Sequence, residues 1–466
     1  MTTAVGVTSE PTAALEPDGS KPPHVRTTPG MLGALLDRRR SIGMFERLAA
    51  GRTGVVALSP MGRRVWLVFE PPLAREILVE SARSVTKGEG LRMVRWVLGD
   101  GLLTSTDAVT HRRNRRLIQP AFSAAKIAAY ADVMVAAAER MNERWTAGSV
   151  VEMPAEMAAL TLDVVGQTLL GDDTAQDAHS ISESLETVLK RFGVMFFPGS
   201  ERLLASRLPI AVQIREATAS MRATVERIID RHRGSDSIVD DMVASLLAAR
   251  DDGDALTDEQ VRDETLTLLL AGHETTANAL TWAWWLLDRE PRAAARLHRE
   301  LADVLGDRRP SYDDMSALPY TTAVIAETMR LRPPAWMIER ETLEPVRVGE
   351  YVAPVGTTLL ASPWLLHHDP RSWGEDAARF RPERWLGTDG GFDPTAPGQP
   401  RGAYLPFGAG NRICIGESFA WAEAVLILAT LARHWAPATE PGQRVGTWAA
   451  VTLRPHPGIR MRLVST

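Results

Sequence analysis

Residues 407–416 read Phe407, Gly408, Ala409, Gly410, Asn411, Arg412, Ile413, Cys414, Ile415, Gly416. Gly408, Gly410 and Gly416 permit left-handed backbone angles and let the chain lie close against a flat ligand. Cys414 is the single cysteine of the 466-residue chain. It stands just before an apolar helical run, where the positive end of a helix dipole and free amide N–H groups favour thiolate over thiol. Arg412 adds a cation two residues away. A lone cysteine is more often a small buried hydrophobe, so the loop around it has to carry the functional reading.

One cysteine excludes an intramolecular disulfide, and equally a zinc or iron–sulfur site built from several thiolates of this chain. The pair Gly408 and Gly410 does not open a dinucleotide loop, because Ile413 stands where the third glycine belongs and no βαβ unit surrounds it.

Outward from the loop, an apolar helix is expected over 417–433, and a terminal β pair near 447–454 and 459–464. Upstream, 363–415 shows little periodicity, and irregular stretches of that length are usually functional or disordered. Earlier still, Thr257 and Gln260 form a capping box, and helical periodicity then runs unbroken over 258–289 until Pro291. Such a helix spans roughly 48 Å, enough to cross a domain. Further helices are expected from Pro291 to Gly306 and from Pro319 to just before Pro333. Helical spacing also marks 124–146, 156–170, 177–191, 211–233 and 238–250. Short β runs fall at 344–348 and 356–361, and Val55–Leu58 with 65–69 reads as a hairpin. Residues 1–30 read as an unstructured tail, leaving 31–466 as one mainly α domain with small β sheets.

The composition, 45% hydrophobic and 24% charged, suits a chain with a sizeable core. The net charge of −5 gives no case for nucleic-acid binding. The basic charge is nearly all arginine, lysines occurring at 21, 87, 126 and 190. No signal segment or membrane anchor is visible, since Gly272, His273, Glu274 and Asn278 interrupt the most apolar stretch, 266–287. The expected location is the cytoplasm.

Inside the long helix lie Ala271, Gly272, His273, Glu274, Thr275 and Thr276. Glycine in a helix interior costs about 1 kcal/mol relative to alanine. Small side chains at 271 and 272 are expected to leave room for a ligand, and a threonine hydroxyl can bond back to the preceding turn.

The spacing F-x-x-G-x-R-x-C-x-G resembles the haem-binding signature of the cytochrome P-450 family without departure, and 271–276 resembles that family's A/G-G-x-D/E-T-T segment. The resemblance covers about 55–464 and implies a single triangular, mainly helical domain holding haem b (iron protoporphyrin IX). It makes Cys414 the iron ligand, Phe407 the ring beside the sulfur and Arg412 a propionate partner. Glu274 and Thr275 become the acid and alcohol that relay protons to dioxygen. His111 and Arg115 match the family's H-x-x-x-R segment, and Arg340 matches the arginine that follows the Glu-Arg helix. Glu327 and Arg330 match E-x-x-R; with Arg384 of the P-E-R segment they imply a buried structural triad. Arg112, Arg113 and Arg116 read as a solvated face or as a contact for an acidic electron donor.

The implied function is insertion of one oxygen atom from dioxygen into an apolar small molecule of terpenoid, polyketide or fatty-acyl type. No flavin or nicotinamide motif is visible, so electrons are expected from a ferredoxin or flavodoxin with its reductase. Met93, Val94, Trp96, Phe192, Met195, Phe196, Phe197, Ala335 and Met337 are candidate pocket residues, with ordinary core as the competing reading. The alternatives are a peroxide-using or oxidative coupling enzyme, against which Glu274 and Thr275 argue, and a haem-based sensor, for which no output domain is visible.

Overall fold

The computed structural model describes residues 21–52, 54–171, 175–191, 202, 204–234, 241–251, 253–396 and 399–466. Its axis is the helix Asp258–Arg289. The Thr257 side chain accepts from the Gln260 amide at 3.2 Å, and the Gln260 side chain accepts from the Thr257 amide at 3.0 Å. This reciprocal cap satisfies two N–H groups that the first turn leaves open. Glu290 ends the helix, and Pro291 starts the next, Pro291–Val304.

Helices Met153–Val165, Pro209–Gly234, Pro319–Leu331 and Glu417–Ala432 pack around this axis. The last carries Val425, Leu426, Ile427 and Leu428 in succession, all fully buried. A helix apolar on every side belongs inside a large core, so the segment following Cys414 is anchored at the centre of the molecule.

The largest sheet has six strands in the order His24–Val25, Val55–Leu58, Val65–Val68, Thr358–Ala361, Ile338–Thr342, Val85–Lys87. Its second and third strands are the expected hairpin. Lys87 sits directly across from Arg340 in the antiparallel pair at the far edge.

Several expectations change. Residues 24–25 pair with the 55–58 strand, and Thr28 caps a helix that Pro29 begins, so ordered structure starts ahead of the expected boundary at 30. The 153–165 helix starts earlier than expected and widens into a π turn over Gly166–Leu170. Of the helix expected over 238–250, residues 238–240 lie outside the described residues; within them it runs Met242–Ala248 and stops there because a small hairpin, Arg250–Asp251 with Asp254–Ala255, follows it. Strand Ile338–Thr342 was not expected, because its charged residues hide the alternation.

The terminal β pair is rearranged too. Gly446–Ala449 pairs with Leu453–His456, so the 447–454 run is itself most of a hairpin, turned at 450–452. The last strand, Arg460–Arg462, pairs instead with Val150–Glu152 and Ala438–Thr439. Among the described residues no single helix is long and apolar enough to cross a membrane.

Candidate active site

The irregular stretch before Cys414 is held by one carboxylate. Glu327 and Arg330 are both fully buried. Arg330 grips Glu327 with two parallel bonds, Nε to Oε2 at 2.8 Å and Nη2 to Oε1 at 2.7 Å. Arg384 Nε reaches Oε1 at 2.9 Å, the Arg381 amide Oε1 at 3.0 Å and Trp385 Nε1 Oε2 at 2.9 Å. The rest of the Arg330 guanidinium donates to the carbonyls of His367, Ala377 and Arg379. Buried charges persist when paired and fully hydrogen-bonded, and here five donors meet two carboxylate oxygens. His367, which sequence reasoning missed, extends the lattice. Burial keeps it neutral, its Nδ1 faces the Arg330 carbonyl, and its Nε2 accepts from the Leu405 amide at 2.8 Å.

The cysteine loop begins there. The Cys414 amide donates to the Phe407 carbonyl at 3.0 Å, and the Phe407 ring packs against Trp421, centroids 6.0 Å apart. Gly408 and Gly410 have φ of 75° and 72°. A Cβ on Gly410 would lie 2.1 Å from the Leu78 carbonyl oxygen, so only glycine fits there. Cys414 keeps accessible surface while protein atoms crowd it on most sides. Burial pushes its thiol up; the Gly416 N–H, Arg115 and Lys87 pull it down without prevailing. The Gly416 N–H acts in the direction expected of a helix start, and burial outweighs it. Arg412 donates to the Ser105 carbonyl at 2.7 Å.

Around this loop converges a set of bases. Lys87 and Arg340, 7% and 4% exposed, face each other across the sheet edge. Burial drives the Lys87 amine well below its usual range, and the charges of Arg340 and Arg412 add to the effect. Arg340 is lowered to about 10 by burial and by Arg412. His111 is lowered to about 3 by burial and by Arg412, Lys87, Arg115 and Arg340. Arg115 donates to the Ile413 carbonyl at 2.7 Å.

Like charges directly opposite in a sheet destabilise it, and among the described residues no salt bridge gives Lys87, Arg115, Arg340 or Arg412 a carboxylate. The grouping makes physical sense around an anion. It fits a haem, whose two propionates would meet the bases while Cys414 faces the iron. Lys87 was missed because a three-residue strand carries no periodicity; its rarity among the arginines was the one available signal.

On the long helix, Glu274 is 5% exposed. Its Oε1 accepts from Arg454 Nε at 2.7 Å and from the Thr452 hydroxyl, while Oε2 is buried without a hydrogen-bond partner. Thr275 Oγ1 bonds back to the Ala271 carbonyl at 2.6 Å, and the helix continues unbroken through it. Ala271 keeps open surface as expected, but a Cβ on Gly272 would lie 3.0 Å from Val165, so that glycine serves close helix packing instead. Burial keeps His273 below its ordinary range, and its carbonyl accepts from Thr161 at 3.0 Å. Sequence reasoning also missed Glu423. This fully buried carboxyl is raised to about 8 by burial, which the neighbouring Thr276 hydroxyl offsets only in part.

The remaining candidates disperse. Val94 is core, whereas Met93 and Trp96 line a surface cleft with Arg92, Arg95, Arg215 and Arg222. Ala335 is half-buried, and Met337 packs beside Trp336 and Trp364. Phe192, Met195, Phe196 and Phe197 lie outside the described residues. Arg113 and Arg116 pair with Asp254 and Asp251 of the small hairpin, so they are not simply solvated. With Arg112 and Arg115 they line a cleft of about 710 Å³ beside Gly410 and Asn411.

Comparison with known proteins gives the family. The family profile described as cytochrome P-450 matches residues 23–458. Cyclooctatin synthase of Streptomyces melanosporofaciens is 39% identical over 419 residues, covering 88% of this chain and 89% of that protein. Pentalenene oxygenase of Streptomyces avermitilis is 34% identical, covering 92% and 93%. Cyclooctat-9-en-7-ol 5-monooxygenase of Streptomyces melanosporofaciens is 35% identical, covering 87% and 86%.

Proposed function

This chain belongs to the cytochrome P-450 family and is a haem-thiolate monooxygenase, and we propose that it oxygenates a terpenoid skeleton, with Cys414 as the residue that would hold the haem iron and Glu274 and Thr275 as proton relay. The observation that carries the residue assignment is the clustering of His111, Lys87, Arg115, Arg340 and Arg412 beside the loop of the single cysteine. Haem, in the b form, would supply the iron chemistry that reduces and cleaves dioxygen, which thiolate donation favours.

The protein's own groups do the rest. Arg115, His111, Lys87, Arg340 and Arg412 would hold the propionates, and the Gly416 N–H would support the sulfur. The Thr275 hydroxyl passes a proton onward and is restored from Glu274, which recovers its own from solvent. General acid–base groups of this kind contribute 10² to 10⁴-fold. The terpenoid class is supported by relatives named for oxygenating pentalenene and cyclooctat-9-en-7-ol. Electrons come from a ferredoxin or flavodoxin with its reductase, docking by acidic groups over Arg112 and its neighbours; the location is the cytoplasm.

The test is a titration of the purified haem protein with terpenoid hydrocarbons and alcohols, fatty acids and polyketide lactones. A low-spin to high-spin Soret shift with terpenoids, and oxygenated product only with donor and dioxygen present, is expected. Shifts confined to fatty acids or lactones would remove the terpenoid assignment.

A further inference from the structure

Glu274, Asn278 and Trp282 recur every four residues and form one stripe on the long helix, and each reaches the turn region of the hairpin Gly446–Ala449/Leu453–His456. Trp282 Nε1 donates to the Leu453 carbonyl at 3.2 Å. Asn278 Nδ2 donates to the Glu274 carbonyl at 2.9 Å and to the Thr452 hydroxyl oxygen at 3.2 Å. With one lone pair so occupied, the Thr452 hydroxyl is oriented to donate, and it donates to Glu274 Oε1. Arg454 Nε donates to the same oxygen at 2.7 Å. From the other side, Trp336 Nε1 donates to the Ala450 carbonyl at 2.9 Å, and the Leu453 amide to the Pro334 carbonyl at 3.0 Å. The hairpin is therefore bolted to the helix at the level of the acid.

Both donors fall on Oε1, which leaves Oε2 buried without a partner. Arg454 is 37% exposed and the Glu274 side chain 7%, so the guanidinium bridges solvent and a carboxylate that otherwise barely reaches it. We propose that Arg454, with Thr452, is a positioning residue of the oxygenation reaction: the terminal hairpin holds Glu274 by one oxygen, keeps the other free for proton transfer toward Thr275, and makes the solvent-facing edge beside Arg454 the place where water brings protons to the carboxylate, the guanidinium itself staying charged. The inference rests on the reading of Glu274 and Thr275 as the relay and adds the element that holds and feeds it. The hairpin thereby gains a role in the rate of turnover besides any contact with substrate.

The experiment uses full-length haem protein with a ferredoxin and reductase and a substrate that gives the spin shift, and compares Arg454→Gln, Arg454→Lys, Thr452→Val, Glu274→Gln and the double variant Arg454→Gln/Glu274→Gln. Coupled turnover, its solvent isotope effect in deuterated water, and turnover driven by added hydrogen peroxide are measured for each. Arg454→Gln is expected to slow coupled turnover about tenfold and to raise the solvent isotope effect, while the spin shift and peroxide-driven turnover stay at wild-type levels. Arg454→Lys restores most of the loss, because a cation at that place suffices to hold the carboxylate, and Thr452→Val falls between the two. In the double variant, Arg454→Gln adds nothing to Glu274→Gln, since groups acting through one another are not additive.

The proposal is overturned if Glu274→Gln slows turnover and Arg454→Gln leaves both rate and isotope effect unchanged. A weakened spin shift in Arg454→Gln with an unchanged isotope effect also overturns it, because the arginine would then only shape the pocket. If Glu274→Gln is itself without effect, the relay reading fails, and the inference with it.

Discussion

Two buried glutamates serve this molecule in opposite ways. Glu327 receives five donors on its two oxygens, its arginine partner is fully buried, and the remaining guanidinium hydrogens go to carbonyls. Glu274 receives two donors on one oxygen and none on the other. A charge whose bonds are all made can only hold structure, because moving it breaks several bonds at once. A carboxylate with an unused buried oxygen retains bonding capacity, and that capacity is what proton transfer consumes. The set around Cys414 resembles the second case: Lys87 and Arg340 are placed directly against each other, and among the described residues neither has a salt bridge to a carboxylate.

The largest effect should come from breaking the saturated side. In Glu327→Ala or Arg330→Ala the partner is left as an unpaired buried charge, which costs about 3 to 5 kcal/mol out of a total stability of about 5 to 15 kcal/mol. Both variants should yield little haem-loaded protein, as read by haem absorbance per protein and by thermal melting; normal values for both would place the pair among ordinary surface bridges.

Next comes the unsaturated side. Thr275→Ala should keep fold, thiolate spectrum and spin shift, because its back-bond to Ala271 contributes little to a helix that is otherwise intact. Electrons should instead leave as hydrogen peroxide, with product per electron falling by up to 10² to 10⁴-fold. Product, peroxide and consumed donor are measured in one reaction, and unchanged coupling contradicts the relay.

Lys87→Met sharpens the comparison from the cation side. Hydrogen bonds to charged groups are worth about 1.5 to 3 kcal/mol, so haem transfer to apomyoglobin should speed up by one to two orders of magnitude while the apoprotein becomes more stable, relieved of a buried amine that burial holds below its usual range. An apoprotein destabilised by this change would mean that Lys87 has a partner other than haem.

A last effect, visible only as a pH dependence, concerns Glu423. Its carboxyl is raised to about 8 by burial, above its ordinary unfolded value near 4.5, so the folded state binds the proton more tightly. Stability from this group is then full below about pH 4.5 and is lost as pH rises toward 8. Glu423→Gln should melt higher than wild type by a margin that grows from pH 5 to pH 8; a margin independent of pH rules out the titration.

Much of this was legible in the sequence where the signal is local. The long helix is bounded by its capping box and Pro291, and those bounds are observed at both ends. The glycines of 407–416 announced a tight loop, and the Gly410 contact with Leu78 shows why. What stayed hidden depends on distant pairing. Arg454 lies 180 residues from Glu274, and nothing near it marks it. The terminal hairpin was mispaired because alternation tells which residues form strands and leaves the choice of partner strand open. Gly272 was read as space for a ligand because sequence does not reveal that Val165 comes to lie against it.

The most direct test makes one chemical change at both glutamates. Glu327→Gln and Glu274→Gln are prepared side by side, and haem content, melting temperature and coupled turnover are measured on each. Glu327→Gln should lose haem and melt lower, since an amide nitrogen replaces an acceptor inside a lattice of donors. Glu274→Gln should keep haem and melting temperature while turnover slows. Equal haem loss in both variants, or full turnover in Glu274→Gln, would contradict the division between charges that hold the fold and charges that serve the reaction.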